Sequence, residues 1–302
     1  DGNIVSYLSL RNMLEFDWSI ATGNQFIPPE ELFELSGRYG KFVRHKEMFL
    51  QLDEKDLAAI SRHLTKPPQP SPLALLKTAL TGSFEGAPIR MDEAGKKLVD
   101  QLLTPPEAEL PKGLQATLRP YQERGYRWIY HNYRIGLGSL VADDMGLGKT
   151  LQVISFLLRL KNEEEVSGKK PVLVVAPASL LSNWVREIRR FAPDLRAETF
   201  HGPQRSLPAD TDIVITTYAT ARSDNELLSA KGWSVLVIDE AQNIKNSGSS
   251  QSKAVKSIKA GFHIAMTGTP VENRLLDYWS IIDFVMKGYL GTKKSFKESF
   301  AV

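Results

Sequence analysis

The sequence contains no cysteine. This absence excludes disulfide bonds, zinc sites built from thiolates, and cysteine nucleophiles. The sequence also has no run of 18 or more apolar residues, and its first 25 residues lack the basic, apolar and small-residue pattern of a secretory signal peptide. We therefore expect neither secretion nor membrane spanning, and we expect the protein to work inside the cell.

The overall composition is that of a folded globular protein. Of 302 residues, 42% are hydrophobic and 24% are charged, and the length exceeds one typical domain. The net charge of +3 hides an asymmetry, because residues 1–112 carry −3 and residues 113–302 carry +6. A basic excess in the second part is compatible with a phosphate-rich partner.

Two proline-rich stretches divide the chain. Residues 66–72 contain four prolines and residues 104–111 contain three, so neither stretch can hold a helix or a central strand. We interpret both as linkers. The predicted organisation is a small α+β domain over residues 1–66, a linker with a helical extension over 67–112, and a larger domain over 113–302.

Short apolar runs alternate with amphipathic helical stretches after Leu118. The runs are Ser139–Ala142, Val172–Ala176, Ile213–Thr216, Val235–Ile238 and His263–Met266. Continuously apolar strands are typical of a parallel sheet covered by helices on both faces. The pattern predicts a doubly wound α/β fold, in which ligands bind beyond the carboxyl ends of the strands.

A candidate phosphate-binding loop follows the first of these runs. Residues 143–150 read Asp-Asp-Met-Gly-Leu-Gly-Lys-Thr and lead into a helical pattern over Leu151–Leu160. Glycines allow backbone amides to cradle phosphates at a helix N-terminus, Lys149 adds a positive charge, and Thr150 would ligate magnesium. The strict pattern has glycine where Asp143 stands. The alternative is a chance glycine turn with an exposed lysine.

Two adjacent carboxylates end the fourth apolar run. Asp239 and Glu240 come 90 residues after Lys149, directly after Val235–Ile238. At a strand's carboxyl end such a pair can divide the work: Asp239 would hold a magnesium shell through water, and Glu240 would orient or deprotonate an attacking water. Read alone, the pair also fits a solvated turn.

Together these motifs resemble the Swi/Snf family of superfamily 2 helicase-like ATPases, and the resemblance covers roughly Leu118 to the end. The matching motifs are Leu118–Gln122 followed by Gly125 and Trp128, Asp143–Thr150, Val174–Trp184, Ile215–Tyr218, Asp239–Asn246, and Met266–Leu275. The family has aspartate where Asp143 stands, so that departure is a family feature. The resemblance implies a RecA-like sheet, forming the first lobe of a two-lobed motor.

The resemblance also implies an ATP site and a coupling set. Lys149, Asp239 and Glu240 would be catalytic. The ATP-binding residues would be Arg119, Gln122, Asp143, Asp144, Met145, Gly146, Leu147, Gly148, Lys149 and Thr150. Gln122 would read the adenine, with magnesium held by Thr150 and Asp239. Gln242, Thr267 and Thr269 would sense the γ-phosphate and pass its state to the nucleic-acid face.

A third implied set consists of contacts to one strand of nucleic acid. Its members would be Ser179, Ser182, Asn183, Trp184, Thr216, Thr217, Tyr218 and Asn246. Hydroxyls and amides at a helix entrance suit a phosphate, although serine is equally an ordinary helix N-cap. Thr216 and Thr217 also fit the end of a strand without any ligand.

The N-terminal part resembles, less specifically, the accessory domain that precedes the motor in many bacterial members, on Leu14–Trp18, Pro29–Leu35, Val43-Arg44 and Leu57–Leu64. A protein partner could bind there.

Family members also need a second RecA-like lobe, which supplies arginines to the ATP site. The sequence stops at Val302 before such a lobe, so we expect these 302 residues alone to bind nucleotide weakly and to hydrolyse it very slowly.

The function that the resemblance implies is that of an ATP- and Mg²⁺-dependent motor that moves along double-stranded DNA. We expect it to act in the bacterial cytoplasm, associated with DNA and without a membrane partner. Two alternatives remain open at this point. One is an ATP-dependent RNA-unwinding enzyme, and the other is a nucleotide-gated binding module that does not hydrolyse ATP.

Overall fold

The computed structural model describes residues 103–268 and 275–300 without a break. Before residue 103 it describes only residues 20–22, 25–27, 31, 34, 42–45, 48–51, 58, 77, 78, 81–84, 87, 88, 93, 97 and 100. The chain forms two compact units. The first spans Leu8–Met91, and the second combines Asp1–Tyr7 with Asp92–Val302. The linker and domain bounds predicted above remain a proposal.

The described strands of the first unit form three antiparallel pairs. They are β1 (Ile20–Thr22) with β2 (Gln25–Ile27), β3 (Phe42–His45) with β4 (Met48–Gln51), and β5 (Ser83–Phe84) with β6 (Ala87–Pro88). Two residues join the strands of each pair, as in short hairpins. Residues 31, 34 and 58 are helical, so this unit contains both kinds of element, as an α+β fold requires.

The second unit is built on a six-stranded parallel sheet. Its strands are β7 (Ser139–Val141), β8 (Val172–Ala176), β9 (Ala197–Phe200), β10 (Ile213–Thr217), β11 (Trp233–Ile238) and β12 (Ala260–Met266). They lie in the order β7-β12-β11-β8-β10-β9, and every neighbouring pair is parallel. The α/β fold with a doubly wound parallel sheet is therefore confirmed. The sequence pattern did not predict β9, an edge strand with two exposed residues, Glu198 and Thr199.

Helices precede, connect and follow these strands. They are α1 (Pro120–Ile135), α2 (Lys149–Asn162), α3 (Leu181–Phe191), α4 (Tyr218–Ser223), α5 (Asn225–Ala230), α6 (Ser250–Ser257), α7 (Leu275–Val285) and α8 (Lys293–Phe300). Short 3-10 turns at Ala178–Leu180 and Ala241–Ile244 follow β8 and β11. No helix in the described part of the chain is long and apolar enough to cross a bilayer.

The sheet separates two hydrophobic layers, because successive residues of a strand point to opposite faces. On β8, Val172 and Val174 face the layer formed with helices α1, α2 and α3. Leu173 and Val175 face the layer formed with α4, α5, α6 and α7. Both faces of the central strands are thus buried, which explains why those strands are apolar at consecutive positions.

Local signals in the sequence begin and end several of these helices. Proline occupies the first position of α1, where its missing amide costs no hydrogen bond. Gly136 ends α1 in the left-handed conformation, with a φ of 77°. The hydroxyl of Thr217 accepts the Thr220 amide at the start of α4, and Ser249 does the same for Ser252 at the start of α6.

One carboxylate connects three elements at the edge of the sheet that holds the amino ends of the strands. Asp212 directly precedes β10, and its side chain is fully buried. It accepts hydrogen bonds from Lys161 Nζ on α2 at 2.7 Å and from the Arg196 amide ahead of β9 at 3.0 Å. The Arg196 guanidinium also contacts Asp210, a residue whose side chain is 77% exposed. The two aspartates therefore share one arginine but differ in burial.

Replacing these two aspartates should separate a buried interaction from an exposed one. We expect Asp212→Ala to lower the free energy of unfolding by about 1–3 kcal/mol, because it leaves the Arg196 amide without its acceptor. Asp210→Ala should change stability little, since water replaces an exposed partner. Urea unfolding of both variants measures the difference, and equal losses would contradict this account.

Candidate functional site

The loop after β7 has the conformation that phosphate binding requires. Gly146 and Gly148 have φ angles of 81° and 76°, which residues with a side chain rarely adopt. Helix α2 begins immediately afterwards, at Lys149. The ammonium group of Lys149 donates to the carbonyl oxygens of Asp143 at 2.7 Å and Asp144 at 3.0 Å. The loop thus places a lysine charge beside the amides of a helix N-terminus.

Helix α1 is attached to this loop through Gln122. Its amide group donates to the Leu147 carbonyl at 3.1 Å and accepts from the Arg119 amide at 2.9 Å. A Cβ atom at Gly148 would collide with this glutamine side chain, so the loop needs glycine here both for its φ angle and for space. Gln122 is buried and Arg119 is exposed. The structure therefore brings the two motifs together, although 25 residues separate Gln122 from Leu147.

Asp143, which stands where the general phosphate-loop pattern has glycine, is held by a residue that the sequence analysis did not select. Gln152 on α2 donates to the Asp143 carboxylate at 2.8 Å, and its side chain is buried. The amide oxygen of Gln152 lies against Gly125 of α1, so that any larger residue at 125 would collide with it. The sequence signal that could have identified Gln152 is a glutamine in an otherwise apolar stretch of α2.

The predicted catalytic carboxylates lie at the end of β11. Asp239 is 7% exposed. Its Oδ1 atom accepts from the Glu240 amide and its Oδ2 atom accepts from the Trp184 indole, both at 2.9 Å. Burial raises the pKa of Asp239 above its ordinary value, while these two donors and the positive charge of Lys149 act in the opposite direction. Lys149 and Asp239 both follow parallel strands and lie at the edge of the sheet where the carboxyl ends of the strands meet.

Glu240 continues the site in an unusual backbone conformation. Its φ of 52° lies in the left-handed region, which is strained for a residue with a side chain. The Glu240 carboxylate accepts from Gln242 Nε2 at 2.7 Å, and Gln242 Oε1 accepts from the Thr267 hydroxyl at 3.0 Å. These bonds join the ends of β11 and β12. Thr269, the third predicted coupling residue, lies outside the described residues.

The end of β12 also lies against the phosphate loop. A Cβ atom added to Gly268 would come within 2.9 Å of the Met145 side chain. Met145 itself is 69% exposed and Asp144 is exposed, whereas Leu147 and Thr150 are half-buried. The residues predicted to bind ATP, together with the described coupling residues, therefore surround one edge of the sheet.

The residues predicted to contact nucleic acid divide into two groups. Ser179, Ser182 and Asn246 are exposed, and Asn183 is half-buried. The buried group consists of Trp184, Thr216, Thr217 and Tyr218. The Thr216 hydroxyl donates to the Phe200 carbonyl. The Thr217 hydroxyl accepts from the Thr220 amide at the start of α4. These two threonines fit the strand end without a ligand, which was the alternative interpretation.

The side chains of Trp184 and Tyr218, two residues also assigned to the nucleic-acid contacts, are buried, so those contacts stay a prediction for their backbone atoms. The Trp184 indole is fully buried and bonds Asp239, as described above. The Tyr218 hydroxyl donates to the Asp239 carbonyl at 2.7 Å and lies 3.4 Å from the Glu240 carbonyl. Burial, followed by the charges of both carboxylates, raises the pKa of Tyr218 well above 10, so this hydroxyl stays a donor.

Comparison with known proteins agrees with this geometry. The family described as the SNF2-related domain matches residues 121–302, and the family described as SNF2 Helicase protein matches residues 2–80. YwqA of Bacillus subtilis is 33% identical over 98% of this chain and 35% of its own length. The TATA-binding protein-associated factor MOT1 of Saccharomyces cerevisiae is 38% identical over 69% of this chain and 12% of its own length.

Solved structures show the same relationship. The Sulfolobus solfataricus SWI2/SNF2 ATPase core in complex with dsDNA is 44% identical, with a TM-score of 0.60, over 64% of this chain and 40% of that one. This chain spans about a third of YwqA and a smaller part of MOT1. The SNF2-related match covers more than half of the chain and includes Lys149, Asp239, Gln242 and Thr267. The chain therefore belongs to the SNF2-related family of helicase-like ATPases.

Proposed function

We propose that this chain contains the first lobe of an ATP-dependent motor that acts on double-stranded DNA. One observation carries the proposal: Lys149 of the phosphate loop and the Asp239 carboxylate both lie at the carboxyl ends of the parallel strands, close enough for the lysine charge to act on the carboxylate. Gln122 and the Gln242–Thr267 pair adjoin the same edge. Such an arrangement suits a nucleoside triphosphate, whose transfer depends mainly on positioning and charge stabilisation.

The site fits a magnesium ion as well as ATP. Asp239 presents a carboxylate that accepts one hydrogen bond at each oxygen, which leaves further lone pairs for a water of a metal shell. No cluster of three or more metal-binding side chains occurs among the described residues. This agrees with magnesium, which keeps several waters and binds through few carboxylates and the phosphates. Bound there with Thr150, magnesium would neutralise phosphate charge.

The remaining residues at this edge would have distinct roles. Lys149 would leave the Asp143 and Asp144 carbonyls to bind the β- and γ-phosphates. Glu240 would orient the attacking water or accept its proton, while Gln242 holds its carboxylate in place. Since Gln242 also binds the Thr267 hydroxyl, a change at the γ-phosphate would reach the end of β12. We propose the same sensing role for Thr269.

Duplex DNA is the proposed nucleic-acid partner for two reasons: the exposed polar residues of the lobe and the DNA-bound structure of a relative. Ser179 and Ser182 stand exposed where α3 begins, and Asn246 is exposed after the 3-10 turn that follows Asp239. Hydroxyls and amides of this kind contact phosphates without reading bases, so we expect little sequence preference. The Sulfolobus relative was solved with dsDNA. Preferential binding of RNA over duplex DNA would instead favour the RNA-unwinding alternative.

A complete motor would need more than this lobe. We propose that a second RecA-like lobe supplies the arginines of the ATP site, and that this chain by itself hydrolyses ATP very slowly. We also retain the proposed organisation of an accessory domain over residues 1–66, a linker over 67–112 and the lobe over 113–302. The accessory domain would be the place for a protein partner.

Replacing the loop lysine tests the nucleotide site. We expect Lys149→Ala to weaken binding of a fluorescent ATP analogue with Mg²⁺ by about 10–100-fold, because hydrogen bonds to charged groups contribute about 1.5–3 kcal/mol. Equilibrium fluorescence titration measures the dissociation constant. Lys169→Ala is the matched control, since Lys169 is exposed ahead of β8, at the opposite edge of the sheet. Equal affinities for the two variants would remove Lys149 from the site.

Replacing Glu240 tests the chemical step. Glu240→Gln keeps an oxygen for the Gln242 hydrogen bond but removes the charge, so nucleotide affinity should persist. In a polypeptide that also carries a second lobe, DNA-stimulated ATP hydrolysis should fall by at least about 10²-fold. Steady-state phosphate release measures the rate. Unchanged hydrolysis would disprove the role of Glu240 and favour a different chemistry.

A charge introduced at the start of α3 tests the DNA surface. Ser182→Glu should weaken binding to a short duplex by about tenfold or more at low salt, and the difference should shrink as salt rises. Fluorescence anisotropy with labelled duplex measures both effects. Ser229→Glu adds the same charge on α5, just ahead of β11, and should leave affinity nearly unchanged. Equal losses in the two variants would indicate a nonspecific charge effect.

A further inference from the structure

Two aromatic side chains connect the proposed DNA-facing helices to the metal-binding carboxylate. Trp184 lies on α3 and donates its indole N–H to Asp239 Oδ2 at 2.9 Å. Tyr218 is the first residue of α4, and its hydroxyl donates to the Asp239 carbonyl at 2.7 Å. One aromatic residue thus holds the Asp239 side chain and the other holds its backbone.

The same helices begin at surfaces that are open to solvent. Ser182 is exposed only two residues before Trp184, on the first turn of α3, and Ser179 is exposed in the 3-10 turn that leads into it. On α4, Ala219 is exposed directly after Tyr218. A helix turn is rigid on this scale, so a displacement of its exposed start also moves the buried aromatic residue.

The hydrogen bonds at Asp239 are sensitive to such a displacement. The distance from the Trp184 indole nitrogen to Asp239 Oδ2 is 2.9 Å. A shift of well under roughly 1 Å would take it beyond the usual range of a hydrogen bond. The carboxylate is buried, so no bulk water replaces a lost donor there. The position of α3 therefore influences where the Asp239 carboxylate lies and how well it is stabilised.

We propose that Trp184 and Tyr218 are positioning residues that couple duplex DNA at the starts of α3 and α4 to magnesium–nucleotide binding at Asp239. The inference rests on the proposed function of the site and adds a physical route between its two ligands. Phosphate contact at the exposed serines fixes α3, and Trp184 then holds the Asp239 side chain in one place. Tyr218 does the same for the turn that carries Asp239 and Glu240.

The test measures coupling between the two ligands in the 302-residue chain. The dissociation constant of a fluorescent ATP analogue is determined with and without a short DNA duplex, in Mg²⁺ and in EDTA. The coupling factor is the ratio of the two constants, and nucleotide must change DNA affinity by the same factor. We expect a factor of about 5 or more in the unaltered chain with Mg²⁺. Tyr218→Phe and Trp184→Phe should bring it close to 1.

Two matched controls remove the same groups elsewhere in the lobe. The Tyr126 hydroxyl donates to the Glu109 carbonyl at 2.7 Å, and the Trp233 indole donates to the Leu228 carbonyl at 2.7 Å. Tyr126→Phe and Trp233→Phe therefore delete an identical donor whose acceptor is not part of Asp239. Both should retain the coupling factor of the unaltered chain. Thermal unfolding checks the fold of every variant, and Tyr218→Phe, which loses one oxygen atom, decides the matter if Trp184→Phe does not fold.

The outcomes are distinguishable. Loss of coupling in the Asp239-linked variants alone, and only with Mg²⁺ present, supports the inference. A coupling factor that is unchanged in Tyr218→Phe and Trp184→Phe, or reduced equally in the controls, would overturn it while leaving ATP and DNA binding intact. If neither the unaltered chain nor a polypeptide that also carries the second lobe binds duplex and nucleotide, the proposed function fails and this inference fails with it.

Discussion

The buried carboxylate of Asp239 is the constraint on which the rest of the site depends. A carboxylate that has lost most of its contact with water is costly to ionise, and its raised pKa reflects that cost. The Trp184 indole, the Glu240 amide and the charge of Lys149 oppose it. Helix α3, the turn after β11 and the loop after β7 must therefore meet at one point if the carboxylate is to stay charged.

The strand order explains how they meet. Strand β11 lies inside the sheet, between β12 and β8, and β7 lies on the far side of β12. Because all six strands are parallel, their carboxyl ends share one edge. The loop after β7, the helix after β8, the turn after β11 and the segment after β12 consequently adjoin one another, although the ends of β7 and β12, at Val141 and Met266, lie far apart in the sequence. A polar group after any of these strands is brought to the same region by topology alone.

Much of this arrangement could be predicted from the sequence, and the exceptions have physical causes. Five strands were found because burial on both faces makes them apolar at consecutive positions. Strand β9 was missed because Glu198 and Thr199 are exposed at the edge of the sheet. The candidate phosphate loop and the Asp239–Glu240 pair were selected from residue types that chemistry restricts. Their hydrogen-bond partners were not recognised, since a partner such as Gln152 is defined by tertiary contact.

Trp184 and Tyr218 show a different limit, because their side chains are buried. Leu181, Trp184 and Ile188 recur at helical spacing and form the buried stripe of α3, so periodicity alone could have placed Trp184 in the core. Thr216 and Thr217 continue the apolar run of β10, a strand with neighbours on both sides, and Tyr218 follows directly. Assigning whole motifs to one ligand overlooked that a motif on an amphipathic helix has two faces.

Under the proposed function, this two-faced character would let one short helix serve both the DNA surface and the metal site. On α3 the exposed face carries the Ser182 hydroxyl, while the buried face offers a single indole donor to the Asp239 carboxylate. Because that carboxylate is buried, each hydrogen bond to it contributes more than it would in water. The lobe would then sense the DNA backbone through a packed helix whose position the core already restricts.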